Sequence, residues 1–232
     1  MLDVIAFDAD DTLWHNETLY TMTQDRFKKL LSRYRSGEGV DQELYETEMR
    51  NLQYYGYGIK PFTLSMIETA IELTDGRVQG REIQEIINFA KEMLRAPVQL
   101  LEGVQEVILT LSESHRLMII TKGDLFDQET KVAHSGLTDY FDHVEIVSEK
   151  SPDSYQALLA KHRIVPEHFM MVGNSLRSDI FPVLAIGGQA VHIPYHTTWA
   201  HETVIGLDKV EKEYFKLEHI GMLPELAQRL SI

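Results

Sequence analysis

Two carboxylates lie one residue apart where an apolar run ends near the start of the chain, in Phe7-Asp8-Ala9-Asp10-Asp11-Thr12. In a strictly extended segment alternate side chains share a face, which would aim Asp8 and Asp10 at one centre. One carboxylate of such a pair can attack a phosphorus atom. The other, held partly protonated by its anionic neighbour, can give a proton to the leaving oxygen. The same residues also suit an acidic turn whose aspartates cap the next helix. The pair alone leaves both readings open, and the rest of the chain has to choose.

Three further groups follow, in an order that a phosphoryl-transfer site would use. Thr121 can set a hydroxyl, and the backbone N–H groups of Lys122 and Gly123 after it, on a phosphate oxygen. Lys150 offers a point charge to nucleophile and phosphate. In Gly173-Asn174-Ser175-Leu176-Arg177-Ser178-Asp179, the last carboxylate can complete a hard oxygen shell for Mg²⁺. Each has an ordinary alternative: a strand-end hydroxyl, a solvated loop lysine, a helix cap. The ordered set is far less expected by chance than any one member.

The elements that must position these groups are legible as changes of hydrophobic period. Residues 3–7 read as a buried strand, and strand candidates recur at 117–121, 144–147, 169–172 and 190–193, so each group above follows a strand. Helical stretches at 105–113, 127–134, 154–162 and 178–185 alternate with them. That alternation predicts a parallel sheet with helices on both faces, where ligands gather at the strand ends. An apolar segment at 214–217 and a short helix begun by Pro224 finish the chain.

Between about residue 16 and residue 97 the pattern is helical only. Phe27, Leu30, Leu31 and Tyr34 recur at helical spacing, as do Ile83, Ile86, Ile87 and Ala90 with Leu94, and a shorter stripe runs through Met66, Ile67, Ala70 and Ile71. About four helices are expected, with turns near Gly37-Glu38-Gly39, Tyr55-Gly56-Tyr57-Gly58 and Asp75-Gly76. The loop from Tyr54 to Lys60, with three tyrosines and two glycines, could close over a leaving group through Tyr57 and Lys60, or simply pack the interior of the helical segment.

Bulk properties exclude other classes. The 232 residues suit one generous α/β domain or a core with a smaller insertion. A formal charge of −14 repels nucleic acid and anionic membranes, and no basic stripe overrides it. No stretch approaches the roughly 18 apolar residues of a membrane span. Zero cysteines rule out disulfides and thiolate metal sites and fit a reducing, cytoplasmic setting. An acidic protein handling phosphorylated small molecules has to neutralise them locally, which calls for a cation. His192, His196 and His201, with Trp199 and Glu202, do not make a zinc site on this reading, since His192 falls in a strand; Thr197-Thr198-Trp199 could instead shape the pocket.

These motifs resemble those of the haloacid dehalogenase-like superfamily. Phe7-Asp8-Ala9-Asp10-Asp11-Thr12-Leu13 is similar to its first motif, with Asp11 where glycine is commonest. Ile119-Ile120-Thr121-Lys122-Gly123 resembles the second motif, Lys150-Ser151-Pro152 the third, and Gly173-Asn174 through Asp179 the fourth. The resemblance implies a Rossmann-like α/β core over residues 1–15 and 99–232, with residues 16–98 inserted as a helical type 1 cap, as in subfamily I. It further implies that Asp8 takes a phosphoryl group from a small phosphorylated substrate and that Asp10 acts as general acid and then base. Mg²⁺ would be held by the Asp8 carboxylate, the Asp10 carbonyl and the fourth motif, and Thr121 and Lys150 would bind phosphate.

Asn174 stands where many members carry aspartate, which makes Asp179 the stronger ligand and leaves Asn174 a neutral oxygen or a holder of metal-bound water. Within the family, Asp10 argues against the dehalogenases, whose halide leaves without a proton, and against ion pumps, which carry threonine there. A phosphatase needs that acid. A mutase would need the same pair, a phosphonatase would need an imine-forming cap lysine for which only Lys60 offers itself, and the Asn174 departure suggests a non-catalytic phosphate sensor as a further alternative.

Overall fold

The computed structural model describes residues 2–35, 37–196 and 214–230. The chain divides into two compact units. The first comprises Met1–Glu17, Val98–Lys122 and Lys131–Ile232, and the second Thr18–Pro97 with Gly123–Thr130.

The first unit is built on a six-stranded parallel sheet, β1 (Val4–Phe7), β2 (Arg116–Lys122), β3 (His143–Val147), β4 (Phe169–Gly173), β5 (Gln189–His192) and the short β6 (Phe215–Lys216), in the order β3-β2-β1-β4-β5-β6. β1 is central, with Phe7 beside Ile119 of β2 on one side and Val172 of β4 on the other. Successive residues of the central strands enter opposite cores. Ile5, Phe7, Leu117, Ile119, Met170 and Val172 pack on one face, and Val4, Ala6, Met118, Ile120, Phe169 and Met171 on the other. Strands buried on both faces read as continuous apolar runs, which is why they stand out in the sequence. α5 (Val104–Ser112) and α9 (Leu223–Leu230) cover the first face, α7 (Pro152–His162) and α8 (Phe181–Ala185) the second. The expected α/β class and parallel sheet with helices on both faces are what the structure has.

Because every strand runs the same way, the residues that follow β1, β2, β3 and β4 emerge at one end of the sheet, where open α/β folds bind ligands. The expected helix over 178–185 takes a different form. A wide π-type turn, Leu176–Ile180, follows β4 and leads into the shorter α8. Turns of this kind recur at functional sites because they shift side chains off the regular helical positions. Here the turn buries Asp179 against Gly173, whose missing side chain leaves room for the carboxylate.

The second unit is helical: α1 (Glu17–Leu31), α2 (Gly37–Tyr55), α3 (Ile59–Leu73) and α4 (Gly80–Arg95), together with the first part of α6 (Leu125–His134). Phe27, Leu44, Met66, Ile86 and Ala90 form its core. The turn expected at Gly37-Glu38-Gly39 is instead the first turn of α2, whose buried stripe runs Val40, Leu44, Thr47, Glu48 and Asn51. Three of these five residues are polar, so its apolar signal is weak. Among the described residues no helix is long and apolar enough to cross a membrane.

A Cβ at Gly173 would overlap the Asp179 carboxylate, so Gly173→Ala forces that side chain to move. Urea unfolding should register a loss of about 1–3 kcal/mol. Gly80→Ala, where a Cβ meets open space, should be neutral or gain up to ~1 kcal/mol; equal behaviour of the two would contradict the packing described.

Candidate active site

The chain leaves β1 at Phe7 and turns tightly. Leu13 N–H donates to the Ala9 carbonyl at 2.8 Å, and Asp11 N–H to the Trp14 carbonyl at 2.7 Å. Asp11 sits at φ +62°, in the left-handed region. Aspartate tolerates that region better than most residues, which accounts for an aspartate where the resembling family most often has glycine. Its carboxylate accepts from the N–H groups of Asn16 at 2.8 Å and Glu17 at 3.0 Å, at the start of α1. Burial pushes the Asp11 carboxyl up to about 6, against the pull of those two donors.

After the turn the Asp8 and Asp10 carboxylates take different partners. Asp8 meets Lys150, whose Nζ donates to Asp8 Oδ1 at 2.5 Å and to Asp179 Oδ1 at 2.7 Å. The Lys150 and Asp179 side chains are each 1% exposed. Burial pushes the Asp8 carboxyl up to about 7; Lys150 draws it down, while Asp179 and Asp10 raise it further. The Lys150 ammonium is held protonated by Asp179 and Asp8 despite its burial. Asp10 turns elsewhere: its Oδ1 accepts from Trp14 Nε1 at 2.7 Å, and both its oxygens from Lys131 Nζ, at 3.1 and 3.2 Å.

The fourth motif is fixed around this cluster. Ser175 N–H donates to Asp179 Oδ2 at 3.0 Å, and Ser178 N–H to Ser175 Oγ at 3.0 Å. The Thr12 hydroxyl lies 3.3 Å from both Asp8 Oδ2 and Asn174 Oδ1. His192, on β5 as the periodicity predicts, contacts the Asn174 carbonyl through Nε2 at 3.0 Å. Thr121 is buried near the end of β2, its hydroxyl 3.4 Å from the Lys122 carbonyl. The Lys122 side chain, which the sequence reading left aside in favour of its N–H, donates to Ser178 Oγ at 2.9 Å.

Asp8, Asp10, Thr121, Lys122, Lys150, Asn174 and Asp179 thus all belong to the first unit, and the structure joins Asp8, Lys150 and Asp179 by direct contact. Gly123, Tyr57 and Lys60 belong to the second. There Gly123 adopts φ +135°, Tyr57 is half-buried, and Lys60 pairs with Asp124 at 2.8 Å. Thr197, Thr198, Trp199, His201 and Glu202 lie outside the described residues. Lys131 and Trp14 are supporting residues that sequence reasoning missed, and Ser175 and His192 support the site in roles it did not give them. Lys131 is 121 positions from Asp10, with no motif to connect them.

Among the described residues no group of three or more histidine, aspartate and glutamate side chains gathers to hold a metal ion. Magnesium takes one or two carboxylates and keeps several waters, and Asp8 with Asp179, near the neutral Asn174 oxygen, suits that demand. With Asp8 ionised, two buried carboxylates share one ammonium, and a divalent cation would offset the excess negative charge.

Removing Lys150 would leave two buried carboxylates unpaired. Lys150→Ala, in chelator, should lose about 3–5 kcal/mol in urea unfolding. Lys161→Ala, which breaks the pair with Glu145 through a lysine 62% exposed, should lose under ~1 kcal/mol.

A family model described as haloacid dehalogenase-like hydrolase matches residues 2–187. Among curated relatives, the glyceraldehyde 3-phosphate phosphatase of Pyrococcus abyssi (strain GE5 / Orsay) is 26% identical, over 84% of this chain and 82% of its own. The N-acylneuraminate-9-phosphatase of Homo sapiens is 25% identical, over 76% of this chain and 71% of its own. A crystal structure of a haloacid dehalogenase-like family hydrolase from Xanthomonas campestris matches with a TM-score of 0.88 at 40% identity, covering 99% of this chain and 91% of that one. A 2-haloacid dehalogenase from Pseudomonas syringae pv. Tomato DC3000, at 20% identity and a TM-score of 0.66 with 99% of each chain covered, is alike in fold alone. With the family model spanning most of its length, this chain belongs to the haloacid dehalogenase-like hydrolases and is itself a hydrolase.

Proposed function

We propose that this hydrolase is a magnesium-dependent phosphatase of a small phosphorylated metabolite, working through an aspartyl-phosphate on Asp8. The observation that carries the reading is that Asp8 and Asp10 have different partners. Asp8 lies against Lys150, and Asp10 is held apart by Trp14 and Lys131. A nucleophile and an acid/base need that division, whereas displacement of halide needs no acid.

In the first step an Asp8 oxygen attacks phosphorus, the bond to the leaving oxygen breaks, and Asp10 gives that oxygen its proton. In the second, water attacks the same phosphorus while Asp10 takes the water's proton, and the bond to Asp8 breaks to restore the carboxylate. Lys150 balances charge on Asp8 and the phosphoryl oxygens, and the Thr121 hydroxyl with the N–H groups of Lys122 and Gly123 binds them. Asp8, Asp179, Asn174 Oδ1 and the Asp10 carbonyl would hold the Mg²⁺, which when bound supplies neutralisation of the phosphoryl charge.

The helical residues 16–98 are read as a cap that excludes water and recognises the leaving group, with Tyr57 and Lys60 as its candidate contacts. Zero cysteines support a reducing, cytoplasmic setting, and the negative net charge argues against nucleic acid or anionic membranes as partners. The relatives named as phosphatases support phosphate esters as substrates, and glyceraldehyde 3-phosphate and N-acylneuraminate 9-phosphate are sensible first members of a screen.

Wild type should turn over 4-nitrophenyl phosphate with Mg²⁺, and Asp8→Asn should lose at least about 10³-fold in kcat. Turnover that persists in the variant would sink the mechanism, and absence of any turnover with retained phosphate binding would favour the sensor reading. Metal should be visible without catalysis too. Added at ~100 times its Kd, Mg²⁺ should stabilise chelator-treated protein by about 2.7 kcal/mol in thermal unfolding. Asp179→Asn should lose most of that shift; an unchanged shift would remove Asp179 from the metal site.

A further inference from the structure

Lys131 lies in the last turn of α6, far in sequence from the first-motif residue it touches. Its ammonium reaches both oxygens of Asp10, at 3.1 and 3.2 Å, and Asn16 Oδ1 at 2.9 Å. Trp14 Nε1 donates to Asp10 Oδ1 at 2.7 Å, and the Asn16 N–H is held in turn by Asp11 at 2.8 Å. The Lys131 side chain is 14% exposed and that of Asp10 22%, so the pair is largely shielded from water yet open on one side. Residues 10, 14, 16 and 131 all belong to the first unit.

A carboxylate two residues beyond a buried anionic cluster has strong reason to swing toward solvent or toward the Lys150 ammonium. Two donors of different kind prevent this. The indole N–H fixes one oxygen, and the ammonium, bridging both, fixes the rotation of the carboxyl plane. Asp8 and Asp10 therefore each have their own lysine, Lys150 for Asp8 and Lys131 for Asp10.

Resting on the phosphatase reading above, we propose that Lys131 is a positioning residue for the proton-transfer steps, acting through Asp10 and touching neither substrate nor metal. Misplacing a catalytic group by an ångström costs on the order of 10²-fold in rate without altering ground-state binding. Loss of Lys131 should thus be felt where a proton has to move and spared where none does. An ester with a very good leaving group needs no acid to form the phosphoenzyme, but its hydrolysis still needs the base.

The test uses Lys131→Met and Lys131→Arg on two substrates, with Lys131→Gln in place of the methionine variant should that one not fold. On phenyl phosphate, Lys131→Met should lose about tenfold or more in kcat, with KM no higher than wild type. On 2,4-dinitrophenyl phosphate the first turnover should keep its wild-type rate while later ones slow, giving a burst of phenolate. Lys131→Arg should recover kcat to within a few fold. An equal loss in the first turnover on both esters, a raised KM in place of a lowered kcat, or no recovery by arginine would overturn the proposal.

A readout without turnover separates this claim from the phosphatase reading. The Trp14 indole N–H resonance, assigned by its loss in Trp14→Phe, should move in metal-free Lys131→Met toward its position in Asp10→Ala and stay near wild type in Lys131→Arg. An unmoved resonance would overturn the holding of Asp10 by Lys131. Wild type inactive on both esters would overturn the phosphatase reading and, with it, the catalytic use of Lys131, leaving the indole shift to decide the contact alone.

Discussion

The ammonium of Lys150, enclosed between Asp8 and Asp179, is the contact on which the arrangement of the site depends. An ion so deeply buried is tolerable only with its charge met and its donors used, and the same holds for the two carboxylates. Each partner arrives on a different segment: Asp8 from the end of β1, Lys150 from the loop after β3, Asp179 from the turn after β4. The sheet makes this meeting repeatable. β1 is buried on both faces, so a one-residue slip in its pairing would exchange the residues of the two cores, and the position of Asp8 inherits that constraint. Gly173 allows Asp179 its approach, and Ser175 N–H holds the carboxylate's other oxygen.

The tight turn from Ala9 to Trp14 solves a second problem, two carboxylates of the same sign in one motif. It rotates Asp10 away from the Lys150 cluster toward Trp14 and Lys131. Asp11 is integral to that turn. Its left-handed backbone carries the chain round, while its carboxylate caps the first N–H groups leading into α1, a contact that glycine could not make. Asp11 thus anchors the site loop to the backbone of Asn16 and Glu17.

Asn174 bears on the same balance of charge. A third carboxylate beside Asp8 and Asp179 would deepen the unneutralised charge around one ammonium; the amide brings an oxygen without it. The Asn174 side-chain oxygen lies near the Thr12 hydroxyl and its carbonyl contacts His192, so first motif, fourth motif and β5 meet at this residue.

The strands, the helix-only stretch from about residue 16 to 97, and the candidates Asp8, Thr121, Lys150 and Asp179 were legible in the sequence, because hydrophobic period and strand-end motifs are local patterns. Gly37 and Gly39 gave a turn signal where α2 begins, the buried polar residues Thr47, Glu48 and Asn51 left its apolar stripe weak, and the wide turn at Leu176–Ile180 has no periodic signature. What only the tertiary structure decided is which charge meets which. Lys150 finds Asp8 across 142 positions and Lys131 finds Asp10 across 121, and such pairings are fixed by strand order and by the turn that parts the two aspartates. Residue types and spacing determine the chemistry available to a chain; long-range charge pairing is settled only when the sheet brings the strand ends together.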